Sequence, residues 1–332
     1  MKGTYQGLAA ALVLAAFLWP KEEPVRTDTA EPAAAVQESY SPVSIRNSNS
    51  KQEWEWDVYT QPPKRTAAFW QNSVETLLAL GAGDRIVMAI GVPDRKYLRP
   101  EYRQMYDQIP YKSMEMPDME TMLMAEPDLI LGWSSTFNAK NLRSTDFWKE
   151  RGIHTYIAGS TSPIYPKRTL DEEYRYVMEL GEIFGKKERA EELVGRMEDA
   201  VRKASETARR QGISPRVVLI EFTGRSIHSY TKESLAGDIV ARLGGELADP
   251  DSRTLNEEQL LTLDPDAIFV VLTEANYGRE EEALQRVYDT LPWQNLRCVR
   301  EKRVYTLPLY AVYSPGIRVY DGIEMLAKGM YP

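Results

Sequence analysis

The chain has 332 residues, a length at which a single hydrophobic core gives way to two lobes with separate cores. Hydrophobic residues make up 43% and charged residues 27%, values of an ordinary globular chain that argue against a disordered or membrane-embedded one. The net charge of -8, with Lys and Arg interspersed among acids, leaves no clustered basic surface for a phosphate backbone, so no nucleic-acid partner is expected.

The chain opens on "LAAALVLAAFLW" at 8–19, about the length of a signal-peptide core and short for a spanning helix; Lys2 supplies a weak positive flank. Residues 1–20 are read as a signal-like segment. The following stretch, rich in Pro, Glu, Ser, Thr and Asn, is read as a disordered tether over 21–57 that carries the folded part away from a membrane. Export to the outer face of the cytoplasmic membrane or to the periplasm is expected. No cysteine follows the apolar run, so a lipid anchor is not expected, and the segment is either cleaved or retained.

From residue 64 strands and helices alternate, which predicts doubly wound α/β lobes with parallel-type sheets. "KRTAAFW" reads as a strand, "NSVETLLALGAGD" as a helix with Ser73 as N-cap and Gly81 at its end, and "RIVMAIG" as a strand. A loop rich in Tyr, Arg and Pro spans 92–113. A helix at 118–125, strand "LILGW", helix "DFWKERG" and strand "HTYIAG" complete an N-terminal lobe over 58–168. Apolar residues at helical spacing over 169–208 predict one long bridging helix, with Gly185 as a point of interruption. The C-terminal lobe, 209–332, repeats the pattern with strand "RVVLIEF", helices "ESLAGDIVARLG" and "NEEQLLTL", strand "AIFVVL", helix "EALQRVYDTLPWQNL" and strand "RVYTLP". One unit recurs in both lobes: aligning Pro127-Asp128 with Pro265-Asp266 sets Glu120 opposite Glu258 and Leu123 opposite Leu261.

Open α/β sheets bind ligands beyond the carboxyl ends of their strands, so two lobes sharing that face would form a cleft. The loops placed there are 70–72, 93–106, 133–135, 159–161, 222–230, 273–277 and 310–318. Their recurring aromatic residues suit a large, flat chelate. Arg95, Arg99, Arg103, Arg225 and Arg318 would pair with the oxygens of an anionic one, two or three of the five making contact. The ligand-binding candidates are these arginines with Trp70, Asn72, Trp133, Ser134, Tyr230, Tyr277, Tyr310 and Tyr313. Cys298, the single cysteine, excludes an internal disulfide and a thiolate cluster and reads as a core residue. With only His154 and His228, a histidine-rich metal site is not expected, and neither is a resident cofactor. No nucleophile elbow, P-loop, G-x-G-x-x-G or Cys-His pairing is present, so the chain is not read as an enzyme.

The ordered pieces "VETLLALGAGDRIV", "DMETMLMAEPDLILGW", "TLDEEYRYVMELGEIFGKKERAEELVGRM", "LDPDAIFVVL", "LPWQNLRCVREKRVYTLP" and "GIEMLAKGMYP" resemble the helical-backbone class of ABC-importer substrate-binding proteins, over residues 58–332. Those proteins serve importers of iron-siderophores, haem and cobalamin. The resemblance implies two Rossmann-like lobes, one bridging helix, a shallow cleft, and a monomer that delivers its chelate to ABC permease subunits in the membrane. It also implies an acidic permease-docking residue on each lobe, here Glu120 in "DMETML" and Glu233 in "TKESLAGDI". A carboxylate near a helix start is equally at home without a partner. A ferric siderophore is the expected ligand, with haem or cobalamin, or a non-transporting surface receptor, as alternatives.

Overall fold

The computed structural model describes residues 40–313 and 316–332, so the apolar run and the first part of the tether lie outside the described residues. The tether ends earlier than its composition predicts. β1 (Val43–Ser48) and β2 (Trp54–Tyr59) form an antiparallel hairpin, with Val43 opposite Tyr59. Alternation, rather than average polarity, sets its structure: Ile45 and Tyr59 turn inward and are buried. The Asn47 side chain donates to the Ile157 carbonyl at 2.9 Å and accepts from the Ile157 N–H at 2.8 Å, so it extends the adjoining sheet. Asp57 bonds the His154 ring at 2.9 Å, and that ring stacks on Tyr59.

The first lobe runs β3 (Thr66–Phe69), α1 (Gln71–Ala79), β4 (Ile86–Ile90), α2 (Arg103–Asp107), β5 (Tyr111–Ser113), α3 (Met119–Met124), β6 (Leu129–Gly132), α4 (Thr145–Lys149) and β7 (His154–Ile157). Its five strands are all parallel, in the order β5-β4-β3-β6-β7. Every residue of β3 and β6 is buried, as a sheet covered on both faces requires. α1 starts two residues before the predicted N-cap Ser73. Trp70 stands at its N-cap with φ 74° and gives no side-chain cap.

The connector is two helices, not one: α5 (Leu170–Ile183) and α6 (Lys187–Gln211). Gly185, at φ +62°, turns the chain between them, a left-handed conformation that glycine adopts without steric cost.

The second lobe runs β8 (Arg216–Thr223), β9 (Ser226–Ser229), α7 (Leu235–Arg242), β10 (Glu246–Leu247), β11 (Thr254–Leu255), α8 (Glu257–Leu263), β12 (Ala267–Leu272), α9 (Glu280–Asp289), α10 (Arg297–Arg300), β13 (Val304–Pro308) and α11 (Val319–Met330). Its sheet is ordered β11-β9-β8-β12-β13, with β10 also on β8; β8-β12-β13 is parallel and β9 is antiparallel to both neighbours. Cys298 is buried, as its setting predicts.

The sequence repeat has a physical basis. Asp128 accepts from the N–H groups of Lys64 and Arg65 at 2.7 and 2.9 Å, and Asp266 accepts from that of Arg216 at 2.8 Å. Each aspartate therefore caps the start of its lobe's first parallel strand. The preceding residues, Glu126 (φ 44°) and Asp264 (φ 38°), both turn left-handed to end the helix before the proline. Arg65 and Arg216 each reach back to a carbonyl at that helix end.

Candidate functional site

The carboxyl ends of the first lobe's strands carry an aromatic wall. Trp70, after β3, stacks on Trp133, after β6, with centroids 4.8 Å apart and planes at 25°. Thr136 Oγ1 accepts from both Trp70 Nε1 and the Trp133 N–H, fixing the two loops together. Gly91, at φ +76°, lies against the Trp70 ring, and a Cβ there would meet the ring at 2.9 Å. Across the cleft, Tyr313 of the second lobe meets Trp133 edge-on at 6.2 Å.

Tyr313 also borders a cavity of about 350 Å³, walled by β9 and the loops that follow it, with Thr273 after β12 and Leu309 after β13. Its charged and hydrogen-bonding groups are those of Arg168, Arg253, His228, Tyr230, Thr231 and two carboxylates, Glu221 and Glu233. Burial, and then the Glu221 carboxylate that its hydroxyl bonds at 3.0 Å, holds the Tyr230 phenol well above the usual range, so it stays a neutral donor. Arg168 Nε donates to the Ser160 carbonyl at 2.7 Å, and Arg253 makes only a loose 3.4 Å pair with Glu233.

Some of the buried polar atoms without a protein partner among the described residues stand at or just after these strand ends, namely both side-chain ends of Asn72, Trp133 Nε1 and Ser229 Oγ, while others, among them Ser48 Oγ, Thr66 Oγ1 and Arg303 Nε, lie elsewhere in the fold. Native proteins leave few such groups, and of these Ser229 Oγ lies on the wall of the cavity, where ligand or ordered water would complete its bonding. A larger cavity, about 650 Å³ between α1, α6 and α11, lacks this feature; its Arg99, Arg189 and Arg196 are paired with carboxylates.

The predicted site residues separate into groups. Trp70, Trp133, Tyr230 and Tyr313 stand at the carboxyl ends of the strands, with Trp133 against Tyr313, and with Tyr230 and Tyr313 on the cavity wall. Tyr277 and Tyr310 pack edge-on at 5.5 Å and border a second cavity of about 430 Å³ beside Tyr97. Ser134 is turned to its own lobe, its hydroxyl donating to the Thr161 carbonyl at 2.6 Å.

The arginines depart most from expectation. Arg95 makes a two-pronged exposed pair with Asp107 at 2.6 Å, and Arg103 donates to the carbonyls of Leu98 and Lys96. Arg225, in the β8–β9 turn, is exposed and does not border the cavity. Arg318 is 5% exposed and bonds Glu75 at 2.8 and 3.0 Å, Asp321 at 2.5 Å and the Tyr97 carbonyl at 3.0 Å. Burial works against its charge, but Glu75 and Asp321 outweigh that and hold its pKa above the usual value. Arg99 pairs with the same Asp321. These two arginines tie the lobes together, because Arg318–Glu75 and Arg99–Asp321 cross the lobe boundary. Three cavity-bordering residues that the sequence reading did not single out as ligand candidates come from unlike places: Arg168 precedes α5, Arg253 precedes β11, and His228 lies within β9.

Glu120 is exposed in the first turn of α3, whose N-cap is Asp118. Glu233 precedes the N-cap Ser234 of α7 instead of standing in its first turn, and it borders the cavity.

The periplasmic binding protein family model matches residues 67–311. A periplasmic binding protein from Veillonella parvula DSM 2008 is 39% identical, with a TM-score of 0.84 over 88% of this chain and 92% of its own. An uncharacterised ABC transporter substrate-binding lipoprotein of Bacillus subtilis (strain 168) is 24% identical across 98% of this chain and 97% of its own. The high-affinity heme uptake system protein IsdE of Staphylococcus aureus (strain MRSA252) is 24% identical across 61% of this chain and 67% of its own. With a family match across most of its length and a paired-lobe fold whose cleft is walled by aromatic residues, the chain belongs to the periplasmic binding protein family, as a substrate-binding protein of the ABC-importer type.

Proposed function

We propose that the protein captures a ferric siderophore in the interlobe cleft and delivers it to an ABC permease, without catalysing a reaction on it. The observation that carries this reading is the continuous surface from Trp70 through Trp133 and Tyr313 into the cavity that Arg168 and Arg253 border. A stacked aromatic wall receives the flat ligand arms of a chelate, and guanidinium groups at the other side complement its anionic oxygens. Glu120, exposed at the start of α3, is the docking carboxylate on the first lobe; Glu233 serves the second lobe while also orienting Arg253.

Haem is the second reading, favoured by His228: its exposed side chain borders the cavity with no side-chain hydrogen bond among the described residues, and one relative bears the name of a haem uptake protein. A titration of catecholate, carboxylate and hydroxamate ferric chelates, haem and cobalamin, followed by tryptophan fluorescence, tests both. Quenching by a ferric siderophore, weakened in W133F, is the expected result. Binding of haem alone, lost in H228A, would transfer the assignment to haem, and no binding by any member would overturn the function.

A further inference from the structure

Among the described residues, one face of the hairpin that precedes the first lobe is covered only at its Ser48-Trp54 end, where Ser48 is buried and Trp54 packs on Tyr165. Its register places Ser44, Arg46 and Ser48 opposite Val58, Trp56 and Trp54 on that face. Trp56 is 65% exposed, Val58 49% and Trp54 36%. The Arg46 guanidinium lies 4.7 Å over the Trp54 ring. The carboxylates of β2, Glu55 and Asp57, alternate to the other face, where Lys149 and His154 hold them. In a chain of net charge -8, this face therefore carries apolar rings and an arginine and no acid.

We propose that this face is a membrane-contact surface, resting in the headgroup layer of the bilayer that holds the permease. Tryptophan beside arginine is the composition that sits at a membrane–water interface: the indole is apolar at one end and donates a hydrogen bond at the other, and the cation meets anionic headgroups. Two further observations choose lipid as the occupant. The hairpin is the first described element, beginning at Val43, and the apolar run 8–19 stands about two dozen residues before it in the sequence, so a membrane-held N-terminus would bring this element to the surface first. The face also adjoins the segment that leads to the ligand cavity: Trp54 meets Tyr165 edge-on at 5.2 Å, and that segment continues to Arg168, which borders the cavity. The orientation relative to the bilayer rests on the proposed importer role. The contact with lipid does not depend on which chelate is bound.

Each indole adds a modest contribution, so the contact orients a tethered protein and is too weak to anchor a free one. Its effect is to turn the cleft toward the membrane plane and shorten the search for the permease.

The test uses the full chain with vesicles of anionic and zwitterionic lipids brominated in the acyl chains, which quench only tryptophans at bilayer depth. W54F/W56F removes the two reporters and keeps apolar rings in place, and it leaves Trp19 of the apolar run as an internal control. The expected result is that the variant loses more than half of the lipid-dependent quenching, while its circular dichroism melt and chelate titration match wild type. Equal quenching in variant and wild type, or none in either, would overturn the proposal. So would self-association in solution that the same substitutions abolish without any lipid quenching, because the occupant would then be a second copy of the chain. Loss of chelate binding in wild type would count against the proposed function and not against the membrane contact.

Discussion

Arg318 and Glu75 are 243 positions apart, yet their side chains are 7% and 0% exposed and share a two-oxygen ion pair. Removing one partner strands the other in a low-dielectric interior, so R318A is expected to lower unfolding free energy by about 3–5 kcal/mol in denaturant titrations. R95A, which breaks only a solvent-exposed pair, should leave the denaturation midpoint unchanged. Glu173 adds a pH dependence. Its carboxyl is completely buried on α5, accepts from the Gly316 N–H, and has one oxygen without a partner among the described residues. Burial raises its pKa from 4.5 to about 8, partly offset by the nearby Ser160 hydroxyl and the Gly316 N–H. Between those values the folded chain keeps a proton that the unfolded chain has released, so Glu173 makes stability fall as pH rises through this window and level off above it. The size of this term is on the order of 5 kcal/mol. E173Q should flatten the slope measured by denaturation between pH 5 and pH 8. Neither role was legible in the sequence. An arginine near a strand end reads the same whether it meets a ligand or a distant carboxylate, and Glu75 sits within the apolar face of α1 with nothing local to name its partner.

Among the elements, the repeated helix-Pro-Asp-strand unit was legible because its determinants are local: a helix stop, a proline and an aspartate at fixed spacing. Its capping role emerged only with the neighbouring strand present. D128A and D266A should each cost about 1–2 kcal/mol, and the double variant should show their sum, since the two caps lie in different lobes and share no partner. The connector was read in outline. Periodicity is helical on both sides of Gly185, and only its positive φ separates two helices from one. The hairpin was missed because a window rich in polar residues hides an alternation only a few residues long. β9 was missed for a related reason: its partner β8 supplies the ladder that "SIHS" cannot announce by itself.

At the scale of the molecule, the two doubly wound lobes and their strand ends were predictable from alternation alone. What composition could not supply was the closure of the lobes against each other. Arg318–Glu75, Arg99–Asp321 and the edge-on pair Tyr97–Tyr277 all join the lobes on one side of the cleft, and α5 and α6 span them. A packed connector with buried charges across the boundary resists hinge bending, so ligand should produce only a small rotation. Small-angle scattering with and without chelate should give nearly equal radii of gyration.

In the proposed function an anionic chelate is held by the cavity-bordering arginines and not by those at the lobe junction or on the outer loops. The most direct test is the dissociation constant of the ferric chelate for wild type, R253A and R95A. R253A is expected to weaken binding roughly tenfold or more, the scale of one charge-assisted hydrogen bond, and R95A to bind as wild type does. Full affinity in R253A together with a comparable loss in R95A would contradict it.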